Sequence, residues 1–423
     1  MRRAILFPKA VAARRMHVYE TFTVHFERAA KEVAQLDGDP SLASVYVSRS
    51  TWDRWMIGDI KGVPRRPTCR VLEHLLGETA ERLFGPAEPE AERRTGNRST
   101  GMNGEHSLGS LGGSPHVAAL ESFRLADRQL GGGHVYRSVV HYLTTAVAPG
   151  LFGAADSGED GEVALGAAVV LTEMAAWMAH DAGRDDLASG HFDRALRLAQ
   201  SLTDVTVGAN VLAGMSHLAL QTEQVDVAAN LARSGLARLA DGPRVPALTA
   251  RLYAMEARAL AQRDEGRDAH RALDSAHDAL SLAATIPAPP WVAPFDEAAL
   301  ASEAASALLD LGALDAAAQE AVRALTLRDA SRVRSRAFGQ VTLARVLLAQ
   351  EQVDAACQVG LELLTAGQAV TSLRLSSQLD LLQAEFHRHR QLPAVRDLLS
   401  RMAATSRNRR LLLSSLVLPG GPQ

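Results

Sequence analysis

Lysine is nearly missing from this chain. Of its 45 basic residues only Lys9, Lys31 and Lys61 are lysines, and 48 acidic residues leave a net charge of -3. We read the deficit as GC-rich coding rather than chemistry. A chain so balanced is no global polyanion binder, so any nucleic-acid surface must be a local patch. Cysteine is just as scarce. Cys69 and Cys357 lie far apart with no CxxC or Cys/His zinc spacing, which argues against disulfides and structural zinc and predicts a reducing, cytoplasmic setting. Aromatics are only 4% of residues and β-branched runs are few, while Ala and Leu dominate a 47% hydrophobic content; this predicts an all-α protein with almost no sheet. No apolar run of about 18 residues is read, and Pro8 and Lys9 interrupt the basic opening MRRAILFPKAVAARR. Neither a membrane span nor a secretory leader is expected.

Signatures of chemistry are also absent. There is no nucleophile elbow, Walker motif, dinucleotide fingerprint or HExxH, so the sequence predicts neither an enzyme nor a cofactor. GSLGG lacks the Gly-Lys-Ser/Thr that follows a phosphate loop. DSGEDGE (156–162) lacks the alternating ligands and closing Glu of a calcium loop and reads as solvated.

What is present is a repeated helical pattern. In LTEMAAWMAHDAGRDDLASGHFDRALRLAQSL (171–202), Leu171, Met174, Ala175 and Met178 recur at helical spacing, as do Phe192, Ala195, Leu196 and Ala199. They predict two short amphipathic helices broken at Ala182-Gly183-Arg184-Asp185. One such hairpin cannot bury both stripes and needs a similar unit stacked on it. Leu196, Leu236, Leu280, Leu325 and Leu364 recur at separations of 40, 44, 45 and 39 residues. Small-residue registers, such as Ala228-Leu231-Ala232-Gly235, Ala272-Leu273-Ala276 and Leu314-Ala317-Ala318-Ala321, would let neighbouring helices approach closely. A sixth pair runs from Leu373 to Ala404, with Pro393 in the first turn of its second helix. Ahead of the array, residues 116–154 predict two helices broken at Gly131-Gly132-Gly133 and stopped by Pro149-Gly150.

Nearer the start, residues 17–36 carry Phe22, Phe26, Ala29, Ala30 and Val33 at helical spacing and end at Asp37-Gly38-Asp39-Pro40. Next, Ser48 caps a helix reaching Met56, with Trp52 and Trp55 inward and Arg49, Ser50, Thr51 and Arg54 outward. SLASVYV before it fits a strand as well as a helix. Residues 1–90 hold 14 Lys+Arg against 12 Asp+Glu, a balance equally compatible with a small helical packing domain bearing a solvated basic loop.

The stretch VSRSTWDRWMIGDIKGVPRRPTCRVL resembles the second half of a Cro/repressor-type helix-turn-helix, and the later G-x-x-x-x-A turns with alanine-rich second helices resemble tetratricopeptide repeats. In this order they resemble actinobacterial regulators that join an N-terminal helix-turn-helix to a tetratricopeptide-like array. The resemblance implies DNA contacts from Arg49, Ser50, Thr51, Arg54, Lys61, Arg65 and Arg66. It also implies a homodimer on double-stranded DNA, and a concave groove taking a peptide or small-molecule signal, or a partner protein. Residues 1–85 are then the DNA-binding domain, 86–116 a Gly/Ser-rich linker, 117–404 the repeat sensor and 405–423 a capping tail. Trp177, His180, Asp181, His191, Asn210, Ser216 and His217 are candidates for a polar groove wall. Trp291, in the proline-rich IPAPPWVAPF, is read either as closing over a ligand with Phe295 or as capping a seam between repeats. A metal at His180 and His191 is disfavoured, because the i, i+3/i+4 ligand spacing is missing. The competing function is a protein-protein adaptor whose N-terminal module no longer touches DNA.

Overall fold

The computed structural model describes residues 6–13, 16, 19–60, 64–76, 78–85, 114–130, 132–152, 159–240, 242–366 and 372–414. Among them every regular element is helical, as the composition predicts. The chain divides into two units, Met1–Asn103 and Gly104–Gln423.

The first unit is built on aromatic packing. It contains α1 (Phe7–Ala13), α2 (Tyr19–Asp37), a 3-10 turn (Pro40–Ser44), α3 (Arg49–Met56), α4 (Arg66–Leu76) and α5 (Ala80–Phe84). Phe7 stacks on Phe84 at 5.1 Å and meets Trp55 edge-on at 5.2 Å, while Trp52 lies 4.3 Å from Phe22. Such ring pairs add to the burial of large apolar area. Both tryptophans are therefore core, as are the predicted Phe22, Phe26, Ala29, Ala30 and Val33. Segment 41–47 is neither strand nor α-helix: Asp39 caps the single 3-10 turn by accepting from Ser41 N, and Val45 is extended. Arg70 ties α4 to the end of α2 through two bonds to Asp37, at 2.8 and 2.7 Å.

The second unit opens with α6 (Pro115–Leu130) and α7 (Gly132–Tyr142), then a π turn (Leu143–Val147) and α8 (Ala148–Phe152). Two expectations change here. The linker expected over 86–116 ends earlier, since Pro115 already starts α6; residues 86–113 lie outside the described ones. Pro149-Gly150 does not stop the helix: Pro149 lies in α8, which continues directly from the π turn.

Six helical hairpins follow: α9 (Glu159–Asp181) with α10 (Asp185–Ala199), α11 (Val205–Gln221) with α12 (Val225–Ala240), and α13 (Pro246–Gln262) with α14 (Gly266–Ser281). The last three pair α15 (Glu297–Asp310) with α16 (Leu314–Leu327), α17 (Val333–Ala349) with α18 (Val353–Ala366), and α19 (Leu373–Phe386) with α20 (Pro393–Ser414). This is a solenoid-like helical repeat. The expected boundary at 404 falls inside α20, so the described part of the tail is helix rather than a separate cap.

Helix α9 differs most from expectation. It takes in Glu159 to Glu162 of the stretch read as a solvated loop, and it is neither short nor two-faced. Its Gly161–Asp181 span has a mean hydropathy of 1.5 and is long and apolar enough to cross a membrane, which corrects the reading that no such run exists. Here 83% of that window is buried against neighbouring helices. Val169, Leu171, Ala175, Ala176 and Ala179 are fully inaccessible, and each fully buried Val or Leu contributes about 1.5–3 kcal/mol.

Five of the six turns between paired helices share one backbone device; the last, between α19 and α20, is a 3-10 turn (His387–His389). Gly183, Glu223, Asp264, Gly312 and Glu351 all have positive φ, at 68, 60, 61, 70 and 59°. In each turn the next residue's N–H reaches back to the preceding helix, as in Arg184 N to Ala179 O and Gln224 N to Ala219 O, both near the ideal length at 2.9 and 2.8 Å. That is the Schellman closure, which satisfies a carbonyl the helix end would leave unpaired. Close approach also selects glycine within the helices: a Cβ on Gly235 would sit 2.5 Å from Leu252 Cδ2, in agreement with the predicted small-residue register.

Candidate functional site

In the first unit, Ser48 holds the start of α3 by accepting from Thr51 N. With Trp52 and Trp55 turned into the core, the helix presents Arg49, Ser50 and Arg54 to solvent, and Thr51 is half-buried. Arg54 donates to Ser50 O and Thr51 Oγ1 at 3.2 and 3.4 Å, and the Arg49 guanidinium lies over the Tyr19 ring at 5.7 Å. Arg65 and Arg66 are exposed at the start of α4. Lys61 lies outside the described residues. The structure thus gathers four of the predicted DNA contacts on one eight-residue helix. The element before that helix is a 3-10 turn, where the resemblance implies a full helix.

The repeat register explains the inner wall of the array. Six residues before each positive-φ turn residue stand Trp177, His217, Arg258, Ser306 and Arg345; thirteen before stand Val170, Asn210, Arg251, Ala299 and Phe338. Equivalent positions on successive first helices face the same side, so polar residues from five hairpins meet there.

They form two groups. In the first, Glu173 is buried and accepts from Asn210 Nδ2 at 2.5 Å and Trp177 Nε1 at 3.3 Å. Asn210 Oδ1 in turn accepts from Arg251 Nη1 at 3.2 Å and Ala293 N at 3.3 Å, and the Arg251 guanidinium lies 5.6 Å from the Trp177 ring centre. Burial pushes the Glu173 carboxyl above its ordinary range, against the pull of Arg251 and Arg124. A cavity of about 130 Å³ adjoins Glu173, Trp177 and Arg124, too small for most ligands.

In the second group, Glu303 accepts from Arg258 Nη1 at 3.1 Å and lies 3.8 Å from His217 Nδ1. His217 packs edge-on against Trp177 at 5.1 Å. Arg345 pairs with Glu385 at 2.8 Å, and the Arg374 guanidinium lies 4.2 Å over the Phe338 ring. These side chains enclose a cavity of about 360 Å³, within the range that holds small ligands. Burial, together with the nearby arginines, holds the His217 imidazole well below its usual range.

Trp177, Asn210 and His217 stand in this register, and the other candidates are placed elsewhere. His180 is buried, its Nδ1 2.6 Å from Asp185 Oδ1 in its own turn. Asp181 accepts from Arg334 Nη1 at 2.9 Å and Ser372 Oγ at 2.7 Å, which joins the first hairpin to the last two. The same Arg334 is bonded to Asp127 of α6 at 2.6 Å. Burial works against the Arg334 charge, but Asp181 and Asp127 outweigh it and raise the guanidinium pKa. His191 faces α7, with Nε2 2.8 Å from the Tyr136 hydroxyl. Ser216 donates to Ala228 O inside its own hairpin at 2.8 Å. Trp291 is no lid: it is buried in the core with Val292, and Arg124 grips the Pro290 and Trp291 carbonyls at 2.7 and 2.8 Å. Phe295 packs with the core between the second and fourth hairpins. Among the described residues no group of three or more His, Cys, Asp or Glu is placed to hold a metal.

Arg251, Arg258, Glu303, Arg334 and Arg374 escaped the sequence reading. Their signal was the register itself: aligning the repeats on their turns, rather than on Leu196 and its equivalents, puts Asn210 with Arg251 and His217 with Arg258. Comparison with protein-family models and with curated proteins found no match to this chain.

Proposed function

We propose that this chain is a cytoplasmic transcriptional regulator. Its first unit binds duplex DNA as part of a homodimer, and its repeat array senses a peptide or small-molecule signal on the inner face. The observation that carries the reading is the division of α3. Trp52 and Trp55 anchor one side of the helix in the core, while Arg49, Ser50 and Arg54 stand exposed on its N-terminal half. A capped helix N-terminus with short polar and arginine side chains suits base edges and phosphates in a major groove. The cavity on the inner wall supports the sensor half. A gel shift on DNA from upstream of the protein's own gene, run over a salt series, tests it: Arg49→Ala with Arg54→Ala abolishes the shift.

The lone 3-10 turn before α3 favours a second reading, an adaptor that binds protein through its repeats and no DNA. No shift at any salt concentration selects the adaptor.

A further inference from the structure

The larger cavity contains an arginine whose buried Nε has no hydrogen-bond acceptor. Its wall includes Arg258, Arg345 and Arg374. Arg258 is paired with Glu303 and Arg345 with Glu385. Arg374 makes no ion pair or hydrogen bond among the described residues; it stacks on Phe338, and its Nε is buried without an acceptor. Arg258 Nε and His217 Nε2 are also buried and unpartnered. Buried polar groups of this kind are normally satisfied. A planar guanidinium held flat by a ring is preorganised to receive a planar two-oxygen acceptor.

We propose that this cavity binds its ligand through a single carboxylate, received by Arg374, with Arg258 as a flanking donor. The inference rests on the reading of this inner face as the sensor. Charge favours a monoanion over a phosphate dianion, since Glu303 stays in the wall and the exposed Glu223 and Asp310 also line the cavity. Leu220, Leu309 and Val341 provide apolar wall beside it, so the ligand carries an apolar body next to its carboxylate. A peptide C-terminus with apolar side chains and a small hydrophobic acid share that chemistry.

The test is thermal shift and calorimetry on the full chain with four probes: acetyl-dileucine, its C-terminal amide, 4-phenylbutyrate and inorganic phosphate. At least one of the two carboxylates raises the melting temperature, while the amide and phosphate leave it unchanged. Binding by acetyl-dileucine alone identifies a peptide terminus, and by phenylbutyrate alone a small acid. Arg374→Gln weakens the bound carboxylate at least tenfold, Arg374→Lys retains part of the affinity, and ligand-free Arg374→Gln melts at or above the parent temperature, since a buried donor without an acceptor has been removed. The proposal is overturned if neither carboxylate binds, if the amide or phosphate binds as well, or if ligand-free Arg374→Gln melts far below the parent, which would make the arginine structural. Carboxylate binding that leaves DNA affinity unchanged keeps the site and overturns the sensor reading instead.

Discussion

Arg334 and Asp181 stand 153 positions apart and meet at 2.9 Å. In an open solenoid each hairpin touches only its neighbours, whereas this bond spans from the first hairpin to the fifth. Asp127 completes the bridge from α6. Removing the arginine takes the ion-pair partner from the buried Asp181 and the half-buried Asp127. Arg334→Met is expected to cost about 3–5 kcal/mol in urea denaturation of the full chain, and replacing both carboxylates as well, with Asp127→Asn and Asp181→Asn, to recover most of it. A loss below about 1 kcal/mol, the size of an exposed pair, would show that the bridge holds nothing together.

The five turns offer a paired experiment. Non-glycine residues at positive φ carry a strain of about 1–2 kcal/mol, partly offset because glycine is more flexible in the unfolded chain. Asp264→Gly, Glu223→Gly and Glu351→Gly should each raise stability by about 0.5–1 kcal/mol. Gly312→Ala should lower it by about 1 kcal/mol, although open space surrounds its added methyl. Equal and opposite changes at Asp264 and Gly312 would isolate the backbone as the cause; unchanged midpoints for all four would refute it.

Acid should loosen the array. Burial holds the imidazoles of His180, His191 and His217 below their ordinary range. Each therefore stays neutral in the fold and takes up its proton first in the unfolded chain. The stability these groups contribute is full above about pH 6.5, the unfolded value, and is lost as pH falls below it toward the depressed folded values. Denaturant midpoints at pH 7.5 and 5.5 measure the loss, and His217→Gln should narrow the gap between them. An unchanged gap would mean that His217 is charged in the fold.

On the DNA side, Arg65 and Arg66 are read as phosphate contacts. Arg65→Ala and Arg66→Ala should weaken binding on every sequence alike and reduce the slope of log affinity against log salt by about 1 each. Arg49→Ala should change sequence preference as well. A change of preference at Arg65 with no change in slope would exchange the roles.

How far the sequence revealed this structure depends on the range of the interaction. Helix existence and turn positions follow from local rules, so Ser48, Gly183 and Pro393 were readable where they stand. Helix α9 was misjudged because its amphipathic stripe was sought in a segment packed on nearly every side; a helix enclosed by its own protein has no wet face to reveal a period. Pro149 marks a stop by local rules, yet the helix runs through it directly from a π turn that no local pattern announces. The site candidates divide in the same way. Trp177, Asn210 and His217 are legible as large or polar residues off the apolar stripes of their helices. His191 and Ser216 share their residue types but point elsewhere, and only the facing of the helices distinguishes them. Arg334 and Ser372 reach Asp181 from the far end of the chain, a proximity that no local pattern encodes.

The meeting of Ser372 and Asp181 also sets an arithmetic limit. Tandem arrays commonly grow and shrink by duplicating a unit, since an added hairpin only lengthens an open rod. Here an inserted hairpin would move Ser372 away by about the 10 Å width of a helix, beyond the reach of a side-chain hydrogen bond. The number six is thus written into the geometry, and relatives sharing this latch should keep that count while varying in their loops.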